Sequence, residues 1–414
     1  MNISTNHKKP EQFSLLVAGI AWPPETFLAR LIKGLIESGI SVTLACDRHP
    51  GEEWLANPHV HWLNVPGWRG SVPSRLFRLM GMLSSGVVRA SGDVRLFKRH
   101  IPNEGLRANF QRWYRLLPFI GHRWDMIYFP WNNVAITHLP LFELGMPVII
   151  SCRGSQINVV PHDPRRAAIR DGLQLTFEKA AAVHCVSEAI EQESTLYGLD
   201  RAKARVIRPA VDPDFFRPAE RPFSTPNNPL HIITVGSLIW RKGHEYALSA
   251  IRHLVDNNIP VSYEIIGDGP ERQRILYAIH DLELTEQVVC NGRLSPSQVR
   301  DRLQQADAFL LPSLSEGIAN VTLEAMACAL PVVSTDCGGM REAITHGREG
   351  FIVPTRDANA MAEALITLAK APEHRRSMGQ AGRQRILAQF QLKDQVEQFL
   401  DMMMQVTKRA SKTK

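Results

Sequence analysis

Two glutamates stand eight positions apart in SEGIANVTLEAMACALPVVSTDCGG (315–339): Glu316 in a segment that reads as a loop, and Glu324 one turn into the helix that follows. Gly317 lets the backbone approach a ligand closely. The amides of Ile318, Ala319 and Asn320 at the helix start would face an anion, with the positive end of the helix dipole behind them. Glu324 has the acceptor capacity to take two hydrogen bonds from a vicinal diol such as ribose. A capping glutamate on an amphipathic helix would account for that spacing by itself, but a second motif accompanies it. GSLIWRKGHEYAL (236–248) closes an apolar strand with Gly236 and Ser237, holds Arg241 and Lys242, and enters a helix after Gly243. Cations at a strand end occupy the place where an open α/β sheet binds a diphosphate, whereas a plain turn would leave them on the surface. Together the motifs suit an anionic ligand that also carries sugar hydroxyls.

Other chemistry-bearing patterns are weaker. Asp212-Pro-Asp214 has the spacing of a metal-binding pair, yet it lies in a proline-rich stretch without a supporting His or acid cluster, so it reads as structural and no metal is expected. GDGPER (267–272) lacks the third glycine of a dinucleotide fingerprint. The cysteines Cys46, Cys152, Cys185, Cys290, Cys328 and Cys337 form no CxxC pair and sit mostly in apolar stretches, which predicts reduced, structural thiols and a cytosolic setting.

These residues need strands to hold them. FSLLVAGI (13–20), the helical pattern FLARLIKGLIESG (27–39) and SVTLAC (41–46) make a βαβ unit. Further strands are expected at 60–65, 125–129, 147–151, 182–187 and 204–208, several of them near-continuous apolar runs suited to a parallel sheet covered on both faces. Six prolines between 209 and 229 interrupt the alternation and mark a linker. Beyond it, strands at 231–236, 263–267, 288–292, 308–313 and 331–335 alternate with helical patterns, and helices at 359–371 and about 375–406 close the chain. The fold class is α/β, with two Rossmann-like domains in tandem: 1–215, 216–390, and a C-terminal helix and tail over 391–414.

The 414 residues are 44% hydrophobic and 21% charged, an ordinary globular composition that leaves room for two sizeable cores. No apolar run is long enough to span a bilayer, and the polar start followed by the short FSLLVAGI gives no expectation of a secretion leader. The net charge of +7 is uneven, with 26 Lys+Arg against 20 Asp+Glu in residues 1–220 and 22 against 21 in the rest. Between 66 and 123 stand eleven cations (Arg69, Arg75, Arg78, Arg89, Arg95, Lys98, Arg99, Arg107, Arg112, Arg115, Arg123) against Asp93 and Glu104. They are interleaved with Trp68, Leu76, Phe77, Leu79, Met80, Phe97, Phe110, Trp113 and Tyr114, as in basic amphipathic helices that meet an anionic membrane, although a solvated helical face has the same composition. No nucleic-acid module accompanies the patch, so nucleic acid is not an expected partner.

The second half resembles the retaining glycosyltransferases of family 4. The resemblance is carried by GSLIWRKG (236–243), IIGDGPER (265–272), NGRLSP (291–296), LLPSLSEGIANVTLEAMA (310–327), LPVVSTDCGGMREAI (330–344) and GFIVP (350–354), with the linker VIRPAVDPDFFRP (206–218) and a looser match in the first half. It is strongest toward bacterial exopolysaccharide and colanic-acid-type members. It implies the GT-B architecture, two facing Rossmann-like domains with a cleft between them. It also implies site roles: Lys242, with Arg241, neutralises the diphosphate of a nucleotide-sugar donor, Glu324 binds ribose, and Glu316 with Gly317, Ile318, Ala319 and Asn320 holds the transferred sugar. Gly236 and Ser237 border the phosphates, and Arg293 and Leu294 border the nucleobase.

The sequence departs from the family pattern in places. Ser237 stands where many members have arginine. In SCRGSQI (151–157), Arg153-Gly154 replaces a His-Gly pair that in many members contacts the donor sugar, and AWPPETF (21–27) replaces a glycine-rich loop near the phosphates. Glu25, Thr26, Arg153 and Gly154 are therefore acceptor-side candidates, with a helix N-cap at Thr26 as the plainer reading of that residue. The resemblance implies transfer of a sugar from a UDP- or GDP-linked donor to a lipid-linked oligosaccharide or glycan acceptor in cell-surface polysaccharide synthesis, at the inner face of the cytoplasmic membrane. No cofactor beyond the donor is implied. Two alternatives remain: a nucleotide-sugar 2-epimerase of the same fold, and a catalytically degenerate sugar-binding member of an assembly complex.

Overall fold

The computed structural model describes residues 13–67, 72–86, 91–100, 105–219 and 229–412. Trp68, Arg69, Arg89 and Glu104 of the basic window lie outside the described residues, as do residues 1–12 and the linker prolines 222 and 226. The chain divides into two compact units, one formed by residues 1–185, 191–207 and 396–414, the other by 186–190 and 208–395. The divisions read from sequence stood at 215/216 and 390/391.

The first unit holds strands β1 (Ser14–Ala18), β2 (Ser41–Cys46), β3 (Val60–Asn64), β4 (Met126–Phe129), β5 (Val148–Cys152), β6 (Ala182–Cys185) and β7 (Ala204–Val206). They form one parallel sheet in the order β3-β2-β1-β4-β5-β6-β7. β1 therefore lies beside β4, and the winding direction reverses between them. β4, β5 and β6 are buried along their whole length, which explains why their sequences show no alternation. The helices are α1 (Thr26–Glu37), α2 (Glu52–Leu55), α3 (Val72–Gly86), α4 (Ser91–His100), α5 (Leu106–Leu116), α6 (Asn132–Ile136), α7 (Gly154–Asn158), α8 (Ala167–Lys179) and α9 (Glu188–Thr195), the last of which begins in the second unit.

The second unit holds β8 (Leu230–Val235), β9 (Val261–Ile266), β10 (Val288–Cys290), β11 (Ala308–Leu311), β12 (Val332–Thr335) and β13 (Gly350–Val353), with the sheet order β10-β9-β8-β11-β12-β13. Its helices are α10 (His244–Asp256), α11 (Arg272–Asp281), α12 (Pro296–Gln305), α13 (Asn320–Ala327), α14 (Met340–Ala343), α15 (Ala358–Lys370) and α16 (Pro372–Gln389). Two cores flank this sheet. In β11, Phe309 and Leu311 join one and Ala308 and Leu310 the other, as the two-residue period of a strand requires.

One helix read from sequence, about 375–406, is two in the structure: α16 and α17 (Leu392–Lys412). The break falls at Phe390, whose side chain is 1% exposed in the second unit's core and whose carbonyl accepts from the amide of Val211 in the linker, 3.0 Å away. That tertiary bond pulls the backbone out of helix. From Val396 onward α17 belongs to the first unit. Phe399 meets Tyr128 of β4 and His184 of β6 with ring centroids 5.8 and 4.7 Å apart, and Val396 lies so close to Gly34 of α1 that a Cβ there would sit 2.5 Å from it.

The linker motif is a turn. Asp212 Oδ1 accepts from the amides of Asp214 and Phe215 at 3.0 and 3.1 Å, so this carboxylate closes an Asx turn. Arg383 of α16 then donates to the carbonyls of Pro213, Phe216 and Ala327. Among the described residues the six cysteines are free thiols, and no helix is long and apolar enough to cross a membrane.

Candidate functional site

In the second unit the loops after β8 and β11 converge. Beyond β8 the chain runs through Gly236 and the exposed Ser237, makes a short 3-10 turn over Trp240–Lys242, and enters α10 through Gly243. Gly243 has φ +63°, and a Cβ there would lie 2.1 Å from the carbonyl oxygen of Pro312, so only glycine permits this approach to the loop after β11. The same contact brings the Leu314 amide to the Arg241 carbonyl at 2.7 Å. The Lys242 ammonium consequently pairs with Glu316 Oε1 at 2.5 Å, with both side chains about 85% buried at 16% and 14% exposure. The Ser313 hydroxyl donates to the same Glu316 oxygen at 2.8 Å. The end of the lysine side chain passes over Gly236, within 3.9 Å of where a Cβ would stand.

Above this pair, α13 starts without a side-chain cap, its N-cap position being Ala319. The uncapped first-turn amides face outward from a helix end of positive partial charge. One expected donor is engaged elsewhere: the Ala319 amide points to the Met340 sulfur at 3.5 Å, because Met340 is fully buried beneath the loop. Gly317, Ile318 and Ala319 are buried, whereas Asn320 and Glu324 are half-buried. Ser315 Oγ, Asn320 Oδ1, Thr322 Oγ1 and His244 Nδ1 are buried polar atoms without a hydrogen-bond partner. Such atoms are costly to leave unsatisfied, and three of them, from Ser315, Asn320 and Thr322, stand in the loop and first turn of α13, a place suited to a polar ligand. His244 is held neutral, its pKa lowered to about 4 by burial, with the Lys242 charge adding to the shift.

Backbone packing completes the cradle. A Cβ on Gly267 would lie 1.8 Å from the Gly236 carbonyl oxygen, and one on Gly338 (φ +56°) would lie 2.0 Å from that of Glu316. The Gly339 amide donates to the Gly317 carbonyl at 2.6 Å. In the sequence Gly267, Gly338 and Gly339 stand only inside longer motifs, and the tight turn after an apolar strand is the signal that marks them. Ser313, which orients Glu316, carried no signal at all. Arg241 is half-buried, Arg293 is exposed beyond β10, and Leu294 packs on the core beside it.

In the first unit, Arg153 and Gly154 follow β5, and Gly154 opens the short α7. The helix expected after the WPPE turn begins at Thr26, not beyond it. Glu25 occupies the cap position, and its carbonyl accepts from the amides of Leu28 and Ala29 at 2.9 Å, so the N-cap reading of Thr26 is corrected by one residue. The basic window does form helices, α3, α4 and α5, but two of its aromatics are core: Phe97 is 0% and Tyr114 1% exposed. On α3, Leu76, Phe77 and Met80 are 46%, 76% and 61% exposed on one face. Asp93 is tied to Arg123 at 2.6 Å, an interaction that lowers its pKa, and Arg95, Lys98, Arg99 and Arg107 are exposed.

Two family models divide the chain between them. Residues 24–210 match the Glycosyl transferase 4-like domain, and residues 216–385 match Glycosyl transferases group 1. Both parts of the chain thus match glycosyltransferase domains. The chain is 36% identical over 179 residues to the putative colanic acid biosynthesis glycosyltransferase WcaL of Escherichia coli K12, which is 42% of this chain and 44% of that one. It is 33% identical over 191 residues to the amylovoran biosynthesis glycosyltransferase AmsK of Erwinia amylovora, covering 45% and 46%. The alignments thus span less than half the length of these curated relatives. The crystal structure of Anabaena Alr3699/HepE in complex with UDP and glucose superposes with a TM-score of 0.70 at 15% identity, over 94% of this chain and 99% of that one. The fold of the glycosyltransferase is therefore GT-B, with parallel sheets of seven and six strands.

Proposed function

We propose that this glycosyltransferase moves a sugar, with retention of configuration, from a UDP- or GDP-linked donor to a lipid-linked or polysaccharide acceptor in the synthesis of a cell-surface polysaccharide. The observation that carries the reading is the Lys242–Glu316 pair beneath the uncapped start of α13. As the bond from the anomeric carbon to the diphosphate breaks, negative charge grows on the departing oxygen. An ammonium and helix amides placed in advance stabilise that charge. Lys242 and Arg241 supply the cations, so the reading calls on no metal. An acceptor hydroxyl attacks the anomeric carbon from the face the diphosphate leaves, and its proton passes to the departing phosphate oxygen. No side-chain nucleophile is needed, and Glu316 orients the sugar. Arg293 and Leu294 border the base. The names of WcaL and AmsK support a role in exopolysaccharide assembly, and the UDP held by the Anabaena protein supports a nucleotide donor.

Screening UDP- and GDP-sugars against the full chain with cell lipid extract, and reading products by mass spectrometry and anomeric NMR, tests the proposal. A product of inverted configuration would remove the retaining mechanism, and sugar rearrangement without acceptor would turn the reading to an epimerase. Glu324→Ala should weaken nucleotide-sugar binding at least tenfold by calorimetry, because even one hydrogen bond from a diol to a carboxylate contributes about 1.5–3 kcal/mol. Loss of turnover with unchanged affinity would remove Glu324 from the ribose.

The acceptor side of the reading includes an anionic bilayer surface. Leu76, Phe77 and Met80 on α3 provide an apolar face, and the cations of α4 and α5 match lipid phosphates. The double variant F77E/M80E should lose at least tenfold in binding to anionic liposomes in a flotation assay, since burial of one large apolar side chain contributes about 1.5–3 kcal/mol. Equal flotation of wild type and variant would sink the membrane assignment.

A further inference from the structure

Beside the reversal in the first sheet, Trp131 and Arg153 follow the carboxyl ends of β4 and β5, and Phe27, in the first turn of the helix that follows β1, joins them in one cluster. Open α/β sheets bind ligands at this reversal. The Arg153 guanidinium carbon lies 4.5 Å from the centre of the Phe27 ring and 5.8 Å from that of Trp131. The two rings stand nearly perpendicular, 5.9 Å apart, and form a corner around it. Arg153 Nε donates to the Pro130 carbonyl at 3.3 Å, which fixes the plane of the group. Among the described residues no carboxylate pairs with it, so its two terminal nitrogens keep their donors. Behind it, buried His184 is neutral: its Nε2 lies 2.8 Å from the Ile207 carbonyl and its Nδ1 2.6 Å from the Ser151 hydroxyl. The pKa of His184 is lowered to about 3, by burial first and then by the nearby Arg153 charge. Among the described residues this fixed charge therefore has no acidic counter-charge.

We propose that Arg153 is the seat of an oxyanion carried by the acceptor, either the carboxylate of an acidic sugar or a phosphate ester. A half-buried guanidinium clamped between aromatic faces loses hydration and regains it only through a partner that takes two parallel hydrogen bonds. Carboxylate and phosphate both present that geometry, and a neutral hydroxyl does not. The corner of Phe27 and Trp131 also offers a wall for a sugar ring. Arginine has the planar, bidentate donor fork that lysine lacks. The inference rests on the assignment of the first unit to the acceptor. Donor binding is assigned to the other unit, so the two readings fail separately.

The test uses the full chain and NMR titration. p-Nitrophenyl β-glucuronide is compared with the neutral β-glucoside, and glucose 6-phosphate with glucose. UDP and GDP are titrated alongside. At least one anionic probe should bind tenfold or more tightly than its neutral counterpart, and the glucuronide and phosphate arms tell the two anions apart. R153Q should erase the preference and R153K should keep only part of it, with nucleotide affinity unchanged in both. Should R153Q fail to fold, R153K carries the test. Equal binding of charged and neutral probes, or a preference that survives R153Q, would overturn the proposal. So would a preference for UDP-glucuronate over UDP-glucose that R153Q removes, because the anion would then belong to the donor. Failure of the wild type to bind either nucleotide would instead count against the donor reading.

Discussion

Lys242→Ala should lower turnover about a hundredfold to a thousandfold with any donor the enzyme accepts, equivalent to about 3–4 kcal/mol of transition-state stabilisation. The ammonium sits 2.5 Å from Glu316 Oε1 and is 16% exposed, so water cannot replace it efficiently when charge develops on the departing phosphate. Its removal also leaves the Glu316 carboxylate with the Ser313 hydroxyl on that oxygen and without its cation. A purely structural role would lower the melting temperature and leave kcat of the surviving folded enzyme intact. The expected result is the reverse, a small thermal shift and a large kcat loss, with Lys242→Arg recovering part of the rate because charge is kept while position is not. Near-normal kcat in folded Lys242→Ala would remove the leaving-group assignment.

Gly338→Ala should abolish nucleotide binding. At φ +56° an alanine costs about 1–2 kcal/mol from backbone sterics alone. Its Cβ would also lie 2.0 Å from the Glu316 carbonyl oxygen and 2.8 Å from the Glu316 carbonyl carbon, both main-chain atoms that no rotamer change can move. The loop that carries Glu316 and Gly317 must shift, and with it the pair to Lys242 and the bond from Gly339. Gly347 provides the control: it has φ +80° with nothing within 4 Å of a Cβ, so Gly347→Ala should cost only the backbone term and leave binding unchanged. Calorimetric titration with UDP and GDP, together with thermal melts of both variants, reads the difference. Equal affinity in the two variants would show that the glycine contact does not position the site.

Much of the fold was legible because parallel strands buried on both faces write themselves as short apolar runs. DMIYF, PVIIS and AFLLPS all became strands, and helices follow them where the 3.6-residue period appears. Residue type and local spacing also pointed to Lys242, Glu316 and the start of α13. Local pattern misled where a distant partner intervened. Phe390 ends a helix because Val211 takes its carbonyl, and Phe97 and Tyr114 looked like surface aromatics among cations yet lie in the core. The Ala319 amide looked open but meets a sulfur that comes from 21 residues further on.

The sequence by itself determined the alternation of strand and helix and the chemical types placed at strand ends, because each depends on neighbours a few residues away. The tertiary structure alone decided which of those groups meet. Lys242 reaches Glu316 across 74 residues because Gly243 lets two loops touch, and Arg153 stands between Phe27 and Trp131 because β1, β4 and β5 are adjacent in the sheet. Such pairings depend on strand order and on atoms that chain proximity does not specify, so a periodic pattern in the sequence carries no record of them.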